Sequence, residues 1–267
     1  MFASPSQILC TVFGVNIYYY GIIMAISIAV GTLVSDWIGF KYYELKKETV
    51  IDLAPYLIVF GLIGARLYYC LMDCGFYMRF PTEIFAIRHG GISIHGAIIG
   101  GFAGLMIYAF RHKVSIKKLA DVCSIGLILG QSIGRWGNFF NSEAYGLPTE
   151  LPWKLYIAPQ YRHIPYQDVS FYHPAFLYES IFDLLIFAIL VFLTIAKKNK
   201  KDGNIALIYL ILYSIVRIFV ESIRIDSIRY VIGIPVAIVI SFGIICLACI
   251  LLFVNNKNKR KNSEKGE

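Results

Sequence analysis

Residues 134–146 read GRWGNFFNSEAYG and close a long apolar run with one arginine, two asparagines and one glutamate. Arg135 brings a planar fork of N–H donors that matches the oxygens of a phosphate or carboxylate. Asn138 and Asn141 add neutral donors, and Glu143 could orient an arginine or take part in chemistry directly. Similar groups recur at four other places. HGGISIHG holds His95; FYHPAFLYES holds His173, Tyr178 and Glu179; RIFVESIR holds Arg217, Glu221 and Arg224; NIYYYG holds Tyr20. Arginines grouped with amides suit the holding of an anion, and a histidine or a tyrosine can take a proton. Arg66 lies inside a further apolar run, where it could bind phosphate, pair with a carboxylate or snorkel outward.

The elements that must position these groups are membrane spans. Hydrophobic residues make up 58% of the 267-residue chain, charged residues 16%, and mean hydropathy is +0.65, against about 45–50% apolar and about 25% charged in soluble domains. Runs near the roughly 20 residues that cross a bilayer predict seven helices, at 17–39, 50–72, 91–110, 119–138, 174–196, 204–222 and 231–254. The expectation is an all-α, polytopic membrane protein, with residues 1–254 forming one integral-membrane domain and 255–267 a basic cytoplasmic tail.

Charge orients it. Of the 22 Lys and Arg residues outside the spans, 16 fall in the segments 40–49, 111–118, 197–203 and the tail, and 6 in the opposite loops. Positive residues favour the cytoplasm, so the N-terminus is expected outside and the C-terminus inside. The net charge of +8 then reads as topology and attraction to anionic lipid, not as nucleic-acid binding. The N-terminal MFASPSQILC lacks the basic start of a cleavable signal peptide, and the first apolar run is long enough to remain as a span.

In this orientation five spans bring polar groups to the outer half of the membrane: Tyr20, His95, Arg135 with Asn138, Tyr178 with Glu179, and Arg217 with Glu221. Ionisable groups in spans are costly and mark a functional interior. Glycines at 96, 100 and 104 and at 126, 130 and 134 form two ridges of the kind that lets helices approach closely. Antiparallel contact between the two ridges would set His95 beside Arg135 and Asn138. The segment 139–173 holds four prolines, and Trp153, Tyr156, Tyr161, Tyr166 and Tyr172 are among its aromatics. Disordered linkers are poor in aromatics, so it is expected to fold as a cap on the outer membrane surface, guiding a substrate peptide or simply packing on other loops.

GGISIHGAIIGG and GRWGNFFNSEAYG resemble the two most recognisable motifs of the prolipoprotein diacylglyceryl transferases. YYYGI, HPAFLYE and RIFVESIR are similar to further motifs of that family in the same order, and the resemblance runs from about residue 7 to 254. Tyr19 is a local departure, since the family often has tryptophan there. The resemblance implies transfer of the diacylglyceryl group of phosphatidylglycerol to the lipobox cysteine of a bacterial preprolipoprotein, leaving a thioether and glycerol phosphate. It implies as partners phosphatidylglycerol, the signal peptide carrying that cysteine, and the bilayer of the bacterial plasma membrane, with the site towards the outer leaflet.

The residues fit this chemistry. Arg135 and Arg217 are candidate phosphate ligands, with Asn138, Asn141 and Arg66 as further contacts. His95 is a candidate base for the thiol, with Tyr20 as its alternative. Glu143, Gly146, Glu221, Arg224, Tyr178 and Glu179 would support them. Neither a metal nor a cofactor is expected. The CxxC pair Cys246 and Cys249 lies in an apolar run without a nearby histidine and reads as packing. Two other functions compete. Ser93 lies two residues before His95, as a protease nucleophile and its base could, yet Ser93 sits in no GxSxG setting and peptide hydrolysis has no role for the arginines. A transporter would also bury charge, but no internal repeat marks the seven runs.

Overall fold

The computed structural model describes residues 2–86, 90–196, 201–225, 230, 231 and 233–263. The basic residues counted at 88, 197, 198, 200, 229 and 265 lie outside the described residues, as does the end of the tail. Eight helices dominate: α1 (Tyr19–Tyr42), α2 (Thr49–Met72), α3 (Cys74–Arg79), α4 (Ile94–His112), α5 (Ile116–Asn141), α6 (Ala175–Ala196), α7 (Asn204–Ile223) and α8 (Val236–Ser263). Seven short strands accompany them: β1 (Phe2–Ala3), β2 (Ile8–Val12), β3 (Val15–Tyr18), β4 (Leu155–Tyr156), β5 (Phe171–Tyr172), β6 (Tyr230–Val231) and β7 (Ile234–Pro235).

Six of the described helices, α1, α2, α4, α6, α7 and α8, are long and apolar enough to cross a bilayer. This is a multi-pass membrane protein, with six such helices and not the seven expected. The difference is α5. Its 26 residues exceed the length a span needs, but Lys117, Lys118, Asp121, Gln131, Arg135 and Asn138 dilute its apolar character. Leu119, Val122, Ile125 and Ile128 on α5 are all fully buried. A helix lined by protein has less need of an apolar surface than one facing lipid.

Contacts divide the chain into two compact units, residues 1–34 with 124–267, and residues 35–123. In the second, Asp36 caps α2, accepting hydrogen bonds from the backbone N–H of Glu48 at 3.0 Å and of Val50 at 2.9 Å. Those amides begin a helix and have no partner within it. The ridge of Gly96, Gly100 and Gly104 on α4 lies directly on α2, against Gly64, Phe60 and Tyr56. In the first unit the α5 ridge meets α1. A Cβ on Gly31 would come within 2.6 Å of the Gly126 carbonyl oxygen, and Gly130 and Gly134 face Ser27 and Met24. The expected pairing of the two ridges with each other is therefore wrong. Small-residue spacing specifies that a helix approaches some neighbour closely; it carries no label for which one.

The 139–173 segment is folded. β1 runs parallel to β4, and β4 antiparallel to β5, in one three-stranded sheet. Its Tyr145, Leu155, Ile157 and Tyr172 become core, buried together with Phe176 of α6. The Tyr145 hydroxyl donates to the Tyr161 carbonyl at 2.6 Å and accepts from the His163 N–H at 2.9 Å. Arg162 ties the loop through the Ile157 and Gln167 carbonyls and the Ser170 hydroxyl.

Candidate active site

Within the first unit, three helices meet at one carboxylate. Glu179, in the first turns of α6, is 1% exposed. Arg135 near the end of α5 forms an ion pair with its Oε1, Arg217 of α7 lies 3.6 Å from the same oxygen, and Arg224 just beyond α7 lies 4.0 Å from Oε2. Arg217 also pairs with Glu221 at 2.7 Å, one helical turn along, as the four-residue spacing predicts. Both carboxylates are buried, whereas the three arginine side chains keep 15–22% of their surface exposed. The arginine side chains therefore keep more accessible surface than the acids they pair with. That arrangement suits an arriving anion.

The end of α5 supplies the neutral donors. Ser142 and Ala144, both at φ 54°, turn the chain so that Glu143 falls back on the last helical turn. There its Oε1 accepts from Asn138 Nδ2 at 2.8 Å and from Asn141 Nδ2 at 3.3 Å. Glu143 thus orients two amides; it is not placed on an arginine by any described contact. Asn141 and Glu143 line a cavity of about 470 Å³ together with Gln7, Tyr18, Tyr20 and Gly21. The ring of Tyr20 lies on Gly137, where a Cβ would come 2.8 Å from its Cδ2.

Gly146 is required by close approach. Its N–H donates to the His173 carbonyl at 2.8 Å, it bridges Arg224, and a Cβ there would sit 2.7 Å from Ile223 Cγ2. A side chain at 146 would push away the backbone that carries Arg224. Tyr178 accepts from Trp153 Nε1 at 2.8 Å and lies 3.1 Å from His173 Nδ1. Burial holds the His173 imidazole below its ordinary pKa, which favours the neutral ring in this cluster.

Arg66 and His95 belong to the second unit. Arg66 is 6% exposed and spends its donors on one loop: Nε on the Ile84 carbonyl at 2.8 Å, Nη1 on those of Gly90 and Gly91 at 2.8 and 2.7 Å, and Nη2 on that of Glu83. At least four of its five N–H groups are directed at backbone, which makes it a fastener of Glu83, Ile84, Gly90 and Gly91 and leaves at most one donor for a phosphate. His95 lies in the first turn of α4, exposed, its ring centroid 6.0 Å from that of Tyr68.

Two features escaped the sequence reading. Glu179 was expected only as a supporting residue, but it is the point on which three arginines converge. Asp183, one turn further along α6, is fully buried, and neither of its carboxyl oxygens has a hydrogen-bond partner among the described residues. A lone acid inside the apolar run SIFDLLIF was the available signal for it.

Comparison with known proteins gives the same direction as the geometry. The family model described as prolipoprotein diacylglyceryl transferase matches residues 7–254. The phosphatidylglycerol–prolipoprotein diacylglyceryl transferase of Acaryochloris marina is 42% identical over 227 residues, covering 85% of this chain and 82% of that protein. The protein of the same name from Gloeobacter violaceus is 38% identical over 266 residues, 98% of this chain and 97% of the relative. That from Thermosynechococcus vestitus is 39% identical over 226 residues, with 85% and 84% covered. With nearly the whole membrane-embedded chain matched, this protein belongs to the prolipoprotein diacylglyceryl transferase family.

Proposed function

We propose that this chain transfers the diacylglyceryl group of phosphatidylglycerol to the lipobox cysteine thiol of a preprolipoprotein. The observation that carries the reading is the gathering of Arg135, Arg217 and Arg224 over buried Glu179. In the reaction the S–H proton passes to a base and an S–C bond forms at the glyceryl carbon. The C–O bond to phosphate breaks, and glycerol phosphate leaves with the electron pair. Negative charge grows on the phosphate as that bond lengthens. Guanidinium groups held in place beforehand stabilise it without having to reorganise at the moment of reaction.

Arg135 and Arg217 are the ligands we assign to the phosphate, with Arg224 beside them. Asn138 and Asn141, oriented by Glu143, offer donors to the lipid headgroup next to Tyr20. Arg66 is given a structural task in this scheme. His95 takes the thiol proton, and Tyr20 is the alternative base. An uncharged thiol with an ordinary pKa of about 8.5 is a poor nucleophile at neutral pH, so a base is needed.

The test is direct. Purified protein incubated with labelled phosphatidylglycerol and a lipobox peptide should yield full-length lipidated peptide and free glycerol phosphate. A cleaved peptide would point to a protease, and an unchanged one would end the transferase reading.

We also place the protein in the bacterial plasma membrane, N-terminus outside, with the arginine cluster towards the outer leaflet; the bias of basic residues towards the opposite side supports this. A reporter fused after residue 260 should be cytoplasmic and one inserted near residue 160 should be external. The opposite result at either position overturns the orientation.

A further inference from the structure

The β2–β3 hairpin, residues 8–18 (ILCTVFGVNIY), contains no charged residue. All five residues of β2 and all but one of β3 are exposed, so neither face of the ribbon is covered by the described residues. Ile8, Leu9, Val12, Phe13, Val15 and Tyr18 are exposed large apolar side chains, and Phe13 is completely so. Thr11 and Asn16, its two polar side chains, hydrogen-bond each other across the strands at 2.8 Å.

The turn sharpens the point. Phe13 and Gly14 both have positive φ, 49° and 80°, as a tight two-residue hairpin turn requires. Such turns favour Asn-Gly or Asp-Gly, and a bulky residue at positive φ is disfavoured. This chain sets a phenylalanine there, fully exposed among the described residues.

The ribbon is not a loose leader. Ser4 Oγ donates to the Phe140 carbonyl, Gln7 Nε2 to that of Asn141, and the Tyr19 N–H to that of Gln7. β3 ends at Tyr18 and α1, a helix able to span the bilayer, begins at Tyr19. With no linker between them, the ribbon stays at the level where α1 enters lipid.

We infer that the β2–β3 hairpin is a membrane-inserted flap: the tip residues Val12, Phe13 and Val15 dip into the bilayer at its interface and are covered by lipid. Both strands are edges with unpaired backbone groups, which the hydrocarbon core does not accept, so insertion is shallow. Its base residues Gln7 and Tyr18 line the cavity beside Tyr20 and Asn141, which sets this lipid contact at the rim of that cavity. With no charge on the ribbon, the contact is apolar and independent of headgroup charge.

Phe13→Trp tests this in phosphatidylcholine nanodiscs whose acyl chains carry bromine, reading the emission added over the parent with Trp37, Trp136 and Trp153. Insertion to the headgroup–acyl boundary, about 5–10 Å deep, should give blue-shifted added emission that bromolipid quenches more strongly than aqueous iodide does. Stronger quenching by iodide would place the tip in water, and protection from both would place it against protein, such as a second copy; either overturns the proposal. Val15→Trp, read in the same way, replaces Phe13→Trp if that variant fails to fold.

Discussion

Glu179→Gln should lower the rate of diacylglyceryl transfer by about two orders of magnitude or more. The substitution keeps the shape of the side chain and removes its charge from beneath three guanidinium groups. Breaking a buried ion pair by neutralising one partner costs about 3–5 kcal/mol, and each 1.36 kcal/mol is tenfold in rate when it falls on the transition state. Part of that cost will appear as stability, so detergent-extracted yield and thermal unfolding are measured beside lipidated-peptide formation. Glu179→Asp separates the two. It keeps the charge but draws it back by one methylene, so it should fold like the parent and recover only part of the activity. If Glu179→Gln turns over within a few-fold of the parent, the three arginines do not need their common anchor, and the proposed phosphate site loses its basis.

The part of this site that was legible in the sequence is the part that is local. Arg217 and Glu221 are four residues apart on a helix, and their pairing at 2.7 Å follows from that spacing. The GRWGNFFNSEAYG run showed Asn138, Asn141 and Glu143 as one polar group, but Glu143 was expected on an arginine and instead accepts from the two asparagines. The convergence on Glu179 is different in kind. It joins Arg135 on α5, Glu179 on α6 and Arg217 on α7, and which faces of three helices meet is decided by packing that hydropathy does not encode. The glycine ridges show the same limit from the other side: both are close-contact surfaces, as expected, but α4 uses its ridge on α2 and α5 on α1. Arg66 was ambiguous for a related reason. A buried arginine in a span must satisfy its donors, and only the fold reveals that the Glu83, Ile84, Gly90 and Gly91 carbonyls do so.

Span boundaries were the most readable feature, because they depend on composition alone. The helix of residues 204–223 was expected at 204–222, and that of 49–72 at 50–72. α5 marks where composition stops being sufficient. Two of its polar residues, Arg135 and Asn138, carry candidate chemistry, and they help to remove it from the set of helices apolar enough to cross on their own. A helix that builds a polar site within a membrane protein is bound to look less like a membrane helix.

The base is the remaining assignment with a large expected effect. If His95 takes the thiol proton, His95→Gln should reduce transfer by about two to four orders of magnitude at neutral pH. The pH profile identifies the cause. Without a base, the rate follows the fraction of thiolate present in solution, which rises nearly tenfold per pH unit until the thiol pKa of about 8.5. The variant should therefore climb steeply with pH over that range and approach the parent from below, while the parent, whose base removes the proton at each turnover, shows the shallower profile. A purely structural loss would lower the curve without steepening it. Tyr20→Phe, measured in parallel, gives the alternative its own chance: Tyr20 lines the cavity with Asn141 and Glu143, and the steep profile would move to that variant if the phenol is the base. Near-normal turnover by His95→Gln together with a steep, depressed profile for Tyr20→Phe would take the role from the imidazole on α4 and give it to the ring that rests on Gly137.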